Sequence, residues 1–228
     1  MPKSSPAAKP SKANHARLSQ TVFSRLSRAI IAGDFEPGSR VSEPTLSVMF
    51  GVSRAPIREA LIELELRGLV EFDPTGHTRI PALTPRDIEE IHVVRLMIDP
   101  VAAGLTAERG KPEDFAALEA NIAATKSAQT LADVSRLDAE FHDRIVQAAG
   151  NRRLQLCWNS LRDQFALWLS QMQLRQEAVT HRTRQDTVES HRTLLDVIRS
   201  GDVEKATEHA RRHVAAWIKL MPQPSQGR

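Results

Sequence analysis

Phe50-Gly51-Val52-Ser53-Arg54-Ala55-Pro56-Ile57-Arg58-Glu59-Ala60-Leu61 is the stretch that decides the fold. Gly51 stands where a helix ends in a left-handed residue, and Ser53 is an N-cap residue type opening the next helix. Pro56 falls in the first turn, where its missing N–H has no helical acceptor to lose. Ile57, Ala60, Leu61 and Leu64 then share one face, while Arg54, Ala55 and Arg58 project from the leading turn. A tight helix-turn-helix with two arginines at its front end is what docking in a DNA major groove requires. An ordinary pair of surface helices accounts for the caps but not for the arginines.

The flanks extend this into a winged helix. Upstream, Val22, Phe23, Leu26, Ile30 and Ile31 form an amphipathic helix that stops at Gly33. Glu36-Pro37-Gly38 is a turn, and Ser42 opens a short second helix carrying Leu46, Val48 and Met49. Downstream, Gly68 closes the recognition helix. Extended runs at 69–72 and 78–80 then bracket the hairpin turn Asp73-Pro74-Thr75-Gly76-His77. Over residues 18–82 the chain resembles the GntR family of bacterial transcription regulators. The matching words are Ala32-Gly33, Glu36-Pro37-Gly38-Ser39-Arg40-Val41, Gly51-Val52-Ser53-Arg54, Pro56-Ile57-Arg58-Glu59-Ala60-Leu61 and Gly68-Leu69-Val70. The resemblance implies operator contacts from Ser53, Arg54, Ala55 and Arg58, with Gly76 and His77 at the wing. It departs at Pro44, where some members carry a DNA-contacting arginine.

Composition fits an intracellular regulator of one or two domains in 228 residues. The single cysteine, Cys157, allows no intrachain disulfide, and its place in an apolar helix reads as packing. No run reaches the roughly twenty apolar residues of a membrane span, so a cytoplasmic location is expected. Residues 1–82 hold 11 Lys+Arg against 8 Asp+Glu, and the rest of the chain is balanced at 20 each, so the excess positive charge sits in the DNA-binding half. Residues 1–16 read as a disordered basic tail, 17–82 as the winged head, 83–221 as a second domain and 222–228 as a frayed end.

Beyond Ile80 no strand alternation remains, so the fold class is mainly α. A short linker at Pro81, Thr84 and Pro85 leads into six helical segments: about 85–109, kinked at Pro100, then 112–128, 132–149, 153–176, 183–200 and a last one from 203 to about 221. Trp158 and Trp168, ten apart, read as a core or dimer stripe. Arg175, Arg182, Arg184 and Arg192 read as a solvated face.

Asp138 and His142 lie one turn apart on one helix, with His191 and His213 on two others. Three imidazoles and a carboxylate suit Zn, Ni, Mn, Co or Fe and leave positions open for a ligand. Spacing alone does not separate this from a simple Asp–His hydrogen bond, and His92, His181 and His209 are equally available.

Leu137-Asp138-Ala139-Glu140-Phe141-His142, Ala149-Gly150-Asn151, the run from Ser190-His191 to Gly201-Asp202, and His213 together resemble the FCD ligand-binding domain of FadR-type GntR regulators. Val94-Arg95 and Asp99-Pro100 match its first helix, with Asp99 where Glu is commoner, and six helices point to the VanR-like branch. The resemblance assigns a divalent metal, with Zn, Ni or Mn foremost, to Asp138, His142, His191 and His213, and excludes His209. Arg95 falls where the family clamps a ligand carboxylate. The expectation is a homodimeric, non-enzymatic repressor of double-stranded operator DNA, modulated by a small organic acid. The alternatives are a sensor of the metal itself, or a metal-dependent enzyme behind a DNA-binding head.

Overall fold

The computed structural model describes residues 12–218, which begin with α1 (Lys12–Ala32), β1 (Arg40–Val41), α2 (Glu43–Phe50) and α3 (Arg54–Leu66). After them come β2 (Glu71–Phe72) and β3 (Thr78–Arg79). Six further helices follow: α4 (Pro85–Arg109), α5 (Pro112–Ser127), α6 (Leu131–Ala148), α7 (Arg152–Thr180), α8 (Thr183–Arg199) and α9 (Val203–Ile218).

Local chemistry sets the head. Ser42 accepts a hydrogen bond from the Thr45 amide at 3.2 Å and caps α2. Gly51 ends α2 at φ 65°, its N–H reaching back to the carbonyls of Ser47 and Val48. The three strands pair antiparallel in the order β1-β3-β2. Leu26, Ile30, Leu46, Ile57, Leu61 and Leu64 meet in one apolar core.

Several expectations need correction here. Helix α1 takes in residues 12–16, assigned above to the tail. Lys12-Ala13-Asn14-His15-Ala16 contains no breaker, and His15 Nε2 sits 2.9 Å from Glu59 Oε1 on α3, tying down the first turn. The rest of that tail, residues 1–11, and the expected C-terminal end beyond 218 lie outside the described residues. Strand β1 was not foreseen, because two residues pair only through non-local partners. Val48 and Met49 are exposed, since a helix of eight residues buries only the face carrying Leu46.

The bundle follows the expected helix order. Thr84 and Asp87 form a capping box at α4, whose helix continues unbroken through Pro100. Asn151 caps α7 by accepting from the amides of Arg153 and Leu154. Helix α7 runs on to Thr180, further than expected, and stops at His181 in the left-handed region, φ 53°. Trp158 and Trp168 are core residues. Cys157 is exposed, not packed: it lies on the outer face of α7 beside buried Trp158. Arg182, Arg184 and Arg192 are exposed, and the Arg175 side chain lies outside the described residues.

The two units share apolar contacts. Leu167 of α7, 2% exposed, belongs to the head's core, and Ile31 and Leu83 pack against both cores. Gly68, at φ 67°, lies so close to Gln164 of α7 that a Cβ there would come within 2.4 Å of the amide nitrogen.

Candidate functional site

The front of α3 is exposed and basic. Ser53 occupies the N-cap position but makes no side-chain cap bond, so its hydroxyl is not engaged by the first-turn amides. Arg54, Ala55 and Arg58 are exposed around that end, while Pro56 and Ile57 are buried beneath them. Arg58 keeps 75% of its side chain exposed, with only a 3.8 Å approach to Glu43. At the wing, the Asp73 carboxylate accepts from the amides of Thr75 and His77 at 2.9 and 3.0 Å. The Thr75 hydroxyl and these amides hold Asp73 well below the usual carboxylate range. The turn therefore presents Gly76 and His77 on a fixed, exposed tip.

In the bundle, α6, α8 and α9 bring His142, His191 and His213 together, with their candidate ligand nitrogens all within 4.8 Å of one another. Asp138 falls outside that mutually close set but faces two of its members: its Oδ1 stands 3.3 Å from His191 Nε2 and 3.6 Å from His142 Nε2. His213 Nε2 is 3.4 Å from His142 Nε2. Ligand atoms held at about 2.1 Å around one divalent ion stand roughly 3–3.4 Å apart, so these spacings suit a shared cation. The chemistry agrees, because buried Asp138 Oδ1 and both ring nitrogens of His191 lack hydrogen-bond partners among the described residues. The residues fit the metal that the family resemblance implies.

The surrounding shell sets each ligand's orientation. Asp99 Oδ2 faces His142 Nδ1 at 3.3 Å, while Arg95 Nη2 approaches Nε2 of the same ring at 3.3 Å. The Ser190 hydroxyl is 2.9 Å from His213 Nδ1 and holds that ring in place. Phe141 stacks on His191 at 3.9 Å with planes 9° apart. Burial, aided by neighbouring imidazoles and Arg95, pushes His213 well below the ordinary histidine range, and burial and Arg95 also lower His142. Both are thus held neutral, the form that binds metal. Burial alone would raise Asp99 and Asp138. Arg95 and His142 outweigh it at Asp99, as His191, His142 and Arg95 do at Asp138, and both carboxyls lie below their usual range.

Arg95 reaches the site but is not free. It is 1% exposed, lies over the Phe165 ring at 3.9 Å, and donates through Nε and Nη2 to Asp99 Oδ2. An incoming carboxylate must therefore share or displace Asp99. Asp99 is a member of the site that the sequence reading treated only as a motif position, although its spacing of four from Arg95 marks a pair on one helix face. His209 stays outside the cluster, half-buried one turn before His213, and His92 and His181 also lie apart. Beside His142 and His213 lies a cavity of about 10 Å³, walled by Ala102, Ala103, Ile145 and Leu194. Among the described residues no helix is long and apolar enough to cross a membrane.

Residues 18–80 match the gntR family of bacterial regulatory proteins, and residues 90–216 match the FCD domain. The HTH-type transcriptional regulator Mce2R of Mycobacterium tuberculosis (strain CDC 1551 / Oshkosh) is 30% identical over 211 residues, covering 84% of this chain and 86% of its own. The HTH-type transcriptional repressor RspR of Escherichia coli (strain K12) is 29% identical over 147 residues, 63% of each chain. The solved structure of E. coli McbR/YncC superposes with a TM-score of 0.73 at 22% identity, covering 89% of this chain and 93% of that one. An exposed arginine-fronted recognition helix and a histidine-lined bundle are thus joined in a chain that belongs to the GntR family of DNA-binding transcription regulators, with an FCD domain as its C-terminal part.

Proposed function

We propose that this regulator is a homodimeric repressor whose hold on operator DNA is set by a small organic acid bound at a divalent-metal site in the bundle. Residues 17–82 form the DNA-reading unit and residues 83–221 the effector-binding and dimerisation unit, acting in the cytoplasm. Arg54 and Arg58 supply base-edge or phosphate contacts, Ser53 and Ala55 line the same front, and Gly76 and His77 enter the minor groove. Asp138, His142, His191 and His213 hold the ion. A bound divalent cation supplies a Lewis-acidic anchor for a carboxylate, and Arg95 offers that carboxylate a second partner.

The observation that supports this reading most is the buried cluster itself: a carboxylate oxygen and an imidazole that face each other at 3.3 Å without a well-formed hydrogen bond, beside two further buried imidazoles. Repression is supported by the relative that bears that name. Dimerisation is supported by the outer face of α4, where Val93, Val94, Met97 and Val101 stand 51%, 39%, 69% and 47% exposed in one stripe. A palindromic operator then follows from two-fold symmetry.

One observation favours a second reading, in which the ion alone is the signal. The cavity of about 10 Å³ has room for a water, not for an acid of several carbons, without rearrangement. A single experiment tests both. Operator affinity is measured by anisotropy on chelator-stripped protein, then with metal, then with metal and a panel of organic acids. The proposal expects the large shift only in the last arm. A full shift with metal alone supports the second reading, and no shift in any arm refutes both.

A further inference from the structure

We propose that Gln173, held in place by Ser135, fixes Asp138 as a one-oxygen ligand and is a positioning residue of the metal site. The inference rests on the metal reading above. Gln173 lies on α7 and is fully buried, at 0% exposure. Its Nε2 donates to Asp138 Oδ2 at 2.7 Å, and its Oε1 accepts the Ser135 hydroxyl at 2.7 Å. Ser135 and Asp138 are three apart on α6, so both face the same point on α7.

The carboxylate decides which way the amide faces, because it can only accept. The NH2 group must therefore meet the carboxylate, with Ser135 donating to Oε1. The flipped amide would set its oxygen against Asp138 Oδ2, lone pair against charge, at a buried position. The consequence is an asymmetric carboxylate. Oδ2 is tied to the amide, while Oδ1 has no hydrogen-bond partner among the described residues and faces His191 and His142. A carboxylate restrained in this way offers one oxygen to an ion and leaves coordination positions open beside it. Outer-shell hydrogen bonds of this kind tune affinity and geometry without touching the ion.

A core glutamine that merely satisfies its neighbours would show itself only in stability. The discriminating readouts are therefore metal affinity and the visible absorption of bound Co(II), measured on chelator-stripped, full-length protein. Gln173→Met keeps the side chain's length and removes both hydrogen bonds. Ser135→Ala keeps the amide's bond to Asp138 and removes only its second anchor, a milder change. Gln173→Met is expected to weaken Co(II) and Zn(II) binding by about 10–100-fold and to reduce Co(II) absorption as Asp138 swings to two-oxygen coordination. Ser135→Ala shifts both in the same direction by less. The melting temperature of the stripped proteins serves as the stability control. Variants that match wild type in affinity and Co(II) spectrum overturn the role of Gln173, whatever their melting temperatures. Wild-type protein that takes up no Co(II) overturns the metal reading instead, so the two failures are distinguishable.

Discussion

Replacing Arg95 by Met removes a buried cation while keeping most of its volume, and the outcome is set by what is left behind. Arg95 and Asp99 are one turn apart on α4, with side chains 1% and 6% exposed. After the change, Asp99 stays buried with His142 as its basic neighbour at 3.3 Å. Breaking a buried pair from one side costs about 3–5 kcal/mol, whereas replacing both partners by matched uncharged groups is often close to neutral. For a chain of 228 residues, each kcal/mol lowers Tm by about 2–4 °C. Arg95→Met should therefore melt about 6–20 °C early, and Arg95→Met combined with Asp99→Asn should recover most of that loss. Calorimetry on chelator-stripped wild type, both single variants and the double variant closes the cycle. If Arg95→Met melts with wild type, or if the double variant loses the sum of the two singles, the pair is not a mutually dependent buried unit. The description of Arg95 as engaged by Asp99 then fails, and a free carboxylate clamp is the better account.

Further outcomes follow at the other sites. Arg58→Ala should weaken operator binding by about 1–3 kcal/mol if it reads a base edge, or lower the salt slope by about one unit if it meets a phosphate; unchanged anisotropy titrations would remove α3 from the DNA. Protein purified without chelator should carry near one divalent ion per chain by elemental analysis, depleted by His142→Ala, His191→Ala or His213→Ala but not by His209→Ala; equal depletion in the His209 variant would mean the cluster is drawn wrongly. Burial keeps His213 and His142 below the ordinary range, so below about pH 6.5 the unfolded chain takes up protons that the folded one refuses. Stability of the stripped protein should be fully present above that pH and fall on acidification, by at most about 1.4 kcal/mol per pH unit for each histidine. Denaturant titrations across that window should show a flatter slope for His213→Gln, and an identical slope would contradict the buried neutral imidazole.

The parts of this architecture that were legible in sequence are those governed by neighbours along the chain. Ser42 and Gly51 announce helix ends because caps are local, and both act as caps here. The His191 and His213 pairing was legible only through the resemblance, since helical spacing alone leaves His209 and His213 on one face. What escaped depends on contacts across elements. Gln173 reads as one more polar position on a long helix until α6 is seen beside it. Cys157 sits next to Trp158 in sequence, yet a helical step of 100° separates exposed thiol from buried indole. Asp99 was visible as a letter but not as the partner that occupies Arg95, because charge pairing depends on what else is buried nearby.

Leu167 bears on how this protein can be taken apart. It is a residue of the bundle placed inside the head, and a methyl group at Gly68 would force the Gln164 side chain of α7 to move. A fragment ending near residue 82 would lose that side chain and expose the apolar seat it fills, so the isolated reader is expected to be sticky and less stable than the intact chain. Grafting this head onto another family member's bundle would meet the same requirement. The recipient's long helix must bring a leucine-sized group to the seat and nothing bulkier beside Gly68, so exchange between relatives is a question of fit at that one helical turn, not of linker length.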